Sequence, residues 1–127
     1  MQHLPVLTEL QLNYEMFLTD SMTFASQLMG AKHVTGISLV PKDLALSVNT
    51  QWWAISALSA LKTLRRLTFP GTSTPHERKL LASMRTNGFN HLESIRMIDQ
   101  IAHTVTTSAR DETLTTEFGD PVDTYDE

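Results

Sequence analysis

One apolar spacing recurs four times along this chain of 127 residues. Leu4, Leu7, Leu10 and Leu12 are followed by Ala31, Val34, Ile37 and Leu39, then by Leu61, Leu64, Leu67 and Phe69, then by Phe89, Leu92, Ile95 and Met97. Each block reads φxxφxxφxφ, with φ apolar, and the second apolar positions lie 27, 30 and 28 residues apart. All sixteen φ positions are apolar although only 41% of the chain is hydrophobic, so composition alone does not produce the pattern. A repeat constrains the fold before any single residue does, because each unit is too small to bury its own apolar face and must stack on its neighbours.

The last three letters of each block are Leu10-Gln11-Leu12, Ile37-Ser38-Leu39, Leu67-Thr68-Phe69 and Ile95-Arg96-Met97. This alternation has the period of a strand buried on one face, and Pro41 and Pro70-Gly71 end two of the strands. Helical periodicity fills the gaps. Phe24, Ala25 and Leu28 share a side over residues 21–29, with Gly30 as the stop. Ile55, Leu58 and Leu61 share a face over residues 50–62. Thr74-Pro75-His76-Glu77 is a capping box with proline at the first helical position, and it opens a helix through Leu80, Leu81 and Met84 that stops at Asn87-Gly88. Strand and helix in strict succession imply parallel strands with right-handed crossovers. The central strands of a doubly wound sheet would be apolar on both faces. The polar alternate letters here imply an open sheet with one bare face.

The blocks resemble leucine-rich repeats of the longer, ribonuclease-inhibitor-like class, whose units open with LxxLxL. The matching residues are Leu7/Leu10/Leu12, Val34/Ile37/Leu39, Leu64/Leu67/Phe69 and Leu92/Ile95/Met97, and the resemblance covers about residues 4–100. Similar degenerate repeats occur in the substrate-recognition part of F-box proteins. The family's next signature position, usually Asn or Cys, is held here by Glu15, Lys42, Thr72 and Gln100, which implies irregular turns at that corner. The implied fold is an α/β right-handed parallel β/α solenoid of about three and a half repeats over residues 1–107. Ile98, Ile101 and Val105 read as a short terminal turn or cap.

Charge divides the chain at the same place. Residues 1–107 carry nine cations against seven anions, whereas residues 108–127 carry Arg110 alone against seven carboxylates. The latter segment, rich in Thr, Asp and Glu, reads as an acidic, disordered tail. With no cysteine, disulfides and thiolate metal sites are excluded. The first residues show no secretory signal pattern and no apolar run spans a bilayer, so an intracellular location, cytoplasmic or nuclear, and no membrane partner are expected.

Chemistry is sparse. No phosphate-binding loop, nucleophile elbow or zinc motif is present. His3, His33, His76, His91 and His103 have no metal-ligand spacing, and the acidic pairs Asp111-Glu112 and Asp126-Glu127 fall in the expected tail. The expectation is therefore a non-enzymatic protein- or peptide-binding module without metal or cofactor.

Its binding surface is expected on the bare strand face, at Glu9, Gln11, Ser38, Arg65, Arg66, Thr68 and Arg96, with Trp53 as an exposed aromatic contact. Arg65, Arg66 and Arg96 form a basic end suited to an acidic protein or peptide, the chain's own tail included. Nucleic acid is disfavoured, because three arginines without interleaved aromatics are a weak footprint. The alternative is a fragment or subunit that self-associates, or docks in a larger assembly, through uncapped ends such as the edge at Leu7 to Leu12.

Overall fold

The computed structural model describes residues 8–31, 33–43, 50–72, 74–109 and 114–118. They form one six-stranded mixed sheet in the order β1-β2-β3-β4-β5-β6. Strands β1 (Glu9–Asn13), β2 (Gly36–Val40), β3 (Arg66–Pro70) and β4 (Ser94–Asp99) are parallel, while β5 (Thr104–Ala109) and β6 (Leu114–Phe118) continue the sheet antiparallel. Four short α-helices accompany the described strands: α1 (Tyr14–Thr19), α2 (Ser21–Leu28), α3 (Trp52–Ile55) and α4 (Pro75–Ser83).

The apolar repeat builds the core. Ile37 and Leu39, Leu67 and Phe69, and Ile95 and Met97 are all at most 2% exposed, and the register sets Leu10, Ile37, Leu67 and Ile95 side by side. Val34, Leu61, Leu64, Phe89 and Leu92 are buried just before their strands, and Tyr14, Phe17, Ile55, Leu58, Leu81 and Met84 cover the same cluster from the helices and turns. Leu10 and Leu12 are only partly buried because β1 is an edge strand. Leu4 and Leu7 lie outside the described residues.

The expected parallel β/α solenoid is overturned. The molecule is a single mixed sheet, and its connections are unequal where a solenoid would repeat one unit. Two helices, α1 and α2, join β1 to β2, whereas a four-residue helix and a 3-10 turn, Ser56–Ala60, precede β3. The continuous helix expected over residues 50–62 therefore tightens after one turn. Ser56 bonds its own hydroxyl to the Trp53 carbonyl at 2.8 Å, a local competitor of regular helix. Helix α1 was not foreseen. Asn13 Oδ1 accepts from the Met16 amide at 2.9 Å and starts it directly at the end of β1. The capping box before α4 forms only in part. Thr74 Oγ1 accepts from the Glu77 amide at 3.3 Å, but the Glu77 carboxylate accepts the Trp52 indole N–H at 2.6 Å.

The chain also reverses where a terminal cap was expected. Asp99 Oδ1 accepts from the amides of Ile101 and Ala102 at 3.1 and 3.0 Å, and His103 takes a left-handed φ of 54°. This side-chain-closed turn sends β5 back along β4. Strand β5 turns Thr104, Thr106 and Ser108 toward the core side, opposite Asp99, Met97 and Ile95. These polar side chains are buried, and Ser108 meets Arg85, itself 4% exposed. Its guanidinium donates to Ser108 Oγ (3.1 Å), Ser108 O (2.8 Å), Leu92 O (2.6 Å) and Glu93 O (3.3 Å). The arginine thus ties the 3-10 turn after α4 to β5 and to the approach to β4. Strand β6 then occupies residues 114–118 of the segment expected to be a disordered tail; residues 110–113 and 119–127 of that segment lie outside the described residues.

Two stability outcomes follow from these contacts. Arg85→Ala strands several buried acceptors and is expected to cost at least about 3 kcal/mol in urea unfolding, with little recovery in Arg85→Lys, which lacks the planar fork. A loss at the level of an ordinary surface substitution would contradict the role given to Arg85. Tyr14, 1% exposed, accepts from the Gln51 amide through its hydroxyl at 2.8 Å. Burial, aided by Glu15 and Glu77, pushes its pKa above the usual 10.0 against the lowering effect of the Gln51 bond. The unfolded tyrosine ionises first, so stability is complete below pH 10.0 and falls as pH rises from there through the folded-state value. Tyr14→Phe is expected to be less stable at neutral pH but to show a shallower alkaline decline in unfolding midpoint.

Candidate functional site

The letters between the apolar positions fall on the sheet face opposite the core. In register across the parallel strands, Glu9, Gly36, Arg66 and Ser94 form one row, and Gln11, Ser38, Thr68 and Arg96 form the next. These rows enclose a shallow hollow of about 190 Å³ lined by Glu9, Ile37, Ser38, Arg66, Thr68, Ser94 and Arg96. Five of the eight residues singled out from the sequence therefore converge from four strands. Gln11 stands in the Ser38 row at the β1 edge without lining the hollow.

The remaining two lie elsewhere. Arg65 precedes β3, and its guanidinium donates to the carbonyls of Lys62 and Leu64, both at 3.3 Å. The expected three-arginine patch is thus reduced to Arg66 and Arg96 within the hollow. Trp53 is 63% exposed on α3, on the helix-covered side, with its indole N–H donated to Gln51 Oε1 at 3.3 Å. Its neighbour Trp52 packs edge-on against Phe69, with ring centroids 5.6 Å apart.

The charge within the hollow is arranged by a contact the sequence did not reveal. The Glu9 carboxylate reaches across β2 to form an ion pair with Arg66, which also donates to Thr35 Oγ1 at 3.1 Å. Glycine at position 36 permits this crossing. A Cβ there would collide with the Glu9 carboxylate. The ion pair is half-exposed, with side chains 46% and 59% accessible for Arg66 and Glu9. In such surroundings it holds a geometry more than it stabilises the fold. Its one detectable sequence signal is that glycine is the small residue in a row whose other members carry polar side chains.

The face is not open along its whole length. Thr68, Pro70 and Ile98 are buried, so the accessible hollow lies toward the start of the parallel strands. Among the described residues lining the hollow, the one carboxylate is engaged by an arginine and none is a histidine. His91 Nε2 instead bonds to the Leu61 carbonyl at 2.9 Å, which makes that nitrogen the protonated one. Among the described residues, no group of three His, Cys, Asp or Glu side chains could hold a metal ion, and no helix is long and apolar enough to cross a membrane.

The geometry at Gly36 is directly testable. Gly36→Ala must push Glu9 off Arg66, and the flexible carboxylate can yield, so the cost in thermal unfolding is expected to stay within about 1 kcal/mol. It should also be non-additive with Glu9→Gln, because both substitutions remove the same contact. Full additivity would show that the carboxylate does not cross β2. Compared with known proteins, the chain matches no family model, no curated protein and no solved structure.

Proposed function

We propose that this chain is a non-enzymatic binding module that takes an acidic protein or peptide segment on the open face of its sheet. The observation that carries this reading is the convergence of Glu9, Ser38, Arg66, Thr68 and Arg96 from four strands around one hollow. Two guanidinium groups supply donors matched to carboxylates. The neighbouring hydroxyls of Ser38, Thr68 and Ser94 can donate or accept, which suits the side chains and backbone of an extended segment. Glu9 already presents a carboxylate to Arg66, in the place a ligand's acidic group would take. The ligand exchanges one ion pair for another there, and Arg96 offers the second contact. An intracellular setting accords with a chain that has no cysteine.

Binding of a fluorescently labelled oligoglutamate peptide tests the proposal, with oligolysine as the control. Affinity for oligoglutamate is expected to fall with rising salt. Reversing Arg66 and Arg96 together to glutamate should weaken it roughly tenfold or more. Glu9→Gln should tighten binding, because Arg66 is no longer occupied. Arg65→Glu should matter far less, since that side chain is turned onto the Lys62 and Leu64 carbonyls. Equal affinity for oligolysine, or a double reversal that leaves affinity and its salt dependence unchanged, would overturn the reading.

A further inference from the structure

The sheet ends in β6, whose described hydrogen-bonded neighbour is β5. Its sequence, Leu-Thr-Thr-Glu-Phe, favours extended backbone, since three of its five residues are β-branched or aromatic apart from the leucine and glutamate. Its edge protection is limited to its short length and one charge, Glu117; it contains no proline or lysine, and its pairing with β5 has no bulge. Residues 115–118 are exposed, and Phe118, at 87%, is the most exposed large hydrophobic side chain among the described residues. The register with β5 places Leu114, Thr116 and Phe118 opposite Ser108, Thr106 and Thr104, on the core side of the sheet, and Thr115 and Glu117 on the open side.

We infer that β6 is the pairing edge for a second copy of this chain, forming an antiparallel, two-fold symmetric β6–β6 contact centred on Thr116. Symmetry limits the possible registers. A two-fold axis perpendicular to the sheet keeps core-side residues opposite core-side residues, so the axis must pass through a residue pair. Centring on Glu117 sets two carboxylates directly against each other, an unfavourable pairing. Centring on Thr116 uses all five residues and sets Glu117 opposite Thr115. The same register sets Phe118 opposite the partner's Leu114, and Leu114 already packs against the core cluster. The exposed ring would therefore extend that apolar surface across the interface. The charge pattern and the apolar pattern select one register.

Strand β5 separates this edge from the nearest strand lining the hollow, β4, which contributes Ser94 and Arg96. Self-pairing therefore does not compete with ligand binding there, and the two proposals can fail separately.

Sedimentation velocity of the full chain over a concentration series tests the inference, with circular dichroism to verify folding of each variant. The wild type should show a concentration-dependent monomer–dimer equilibrium. Thr116→Lys and Thr116→Glu each set like charges on the symmetry axis and should weaken dimerisation by roughly tenfold or more. Mixing these two variants should restore a heterodimer, because lysine then faces glutamate. Phe118→Ser, which changes a solvent-exposed side chain, should also weaken the dimer. A wild type that stays monomeric at millimolar concentration would overturn the inference. So would a dimer indifferent to both Thr116 substitutions, which would place association elsewhere, or open-ended assembly in place of a dimer.

Discussion

The structure depends on the burial of one alternating apolar spine, Ile37/Leu39, Leu67/Phe69 and Ile95/Met97, in matched register on three adjacent strands. Each such side chain, taken from water to full burial, contributes about 1.5–3 kcal/mol, and a one-residue slip would turn a whole strand's set to the wrong face. Register is therefore strongly specified. Everything on the opposite face inherits its position from that choice. Glu9, Gly36, Arg66 and Ser94 stand in one row only because Leu10, Ile37, Leu67 and Ile95 stand in the next.

The spine ends at β4, and a different device carries the sheet onward. Strand β5 turns hydroxyl side chains toward the core, where an apolar strand would be the ordinary solution. Near one end of that strand Arg85 spends its donors on Ser108 and on the Leu92 and Glu93 carbonyls. Burying a guanidinium is costly unless its donors are satisfied, and these acceptors satisfy them at a site where the chain also changes direction. Parallel strands need long crossovers; an antiparallel return needs only the tight turn that Asp99 closes. The repeat stops because a two-strand extension through polar contacts replaces another full unit.

On the open face, the same economy of side chains shapes the proposed binding surface. Nothing is gained in net charge where Glu9 meets Arg66, yet the pair presets a guanidinium in a defined place and keeps it from drifting as a long flexible side chain would. Helix-side Trp53 and the edge strand β6 lie apart from this surface, so the proposed ligand contact and the proposed self-association draw on separate parts of the molecule.

By itself the sequence determined the strands β1 to β4, their parallel order, the identity of the spine, and which letters face away from it. These are local periodicities, and burial of apolar area enforces them wherever the chain goes. The helices α2 and α4 were legible for a similar reason, through their apolar faces and stop or cap residues. Tertiary structure decided the rest. Strand β5 was invisible to apolar periodicity because its buried residues, Thr104, Thr106 and Ser108, are polar, and Ser108 is held by Arg85, about twenty residues earlier in the chain. The mixed sheet in place of a solenoid follows from that contact and from the Asp99 turn. At the candidate site, sequence supplied the residues but not their pairing. Arg65 and Arg66 are adjacent in the chain, yet one turns back onto local carbonyls and the other meets Glu9 across a glycine. Long-range electrostatic partners depend on which strands become neighbours, and no local period encodes that.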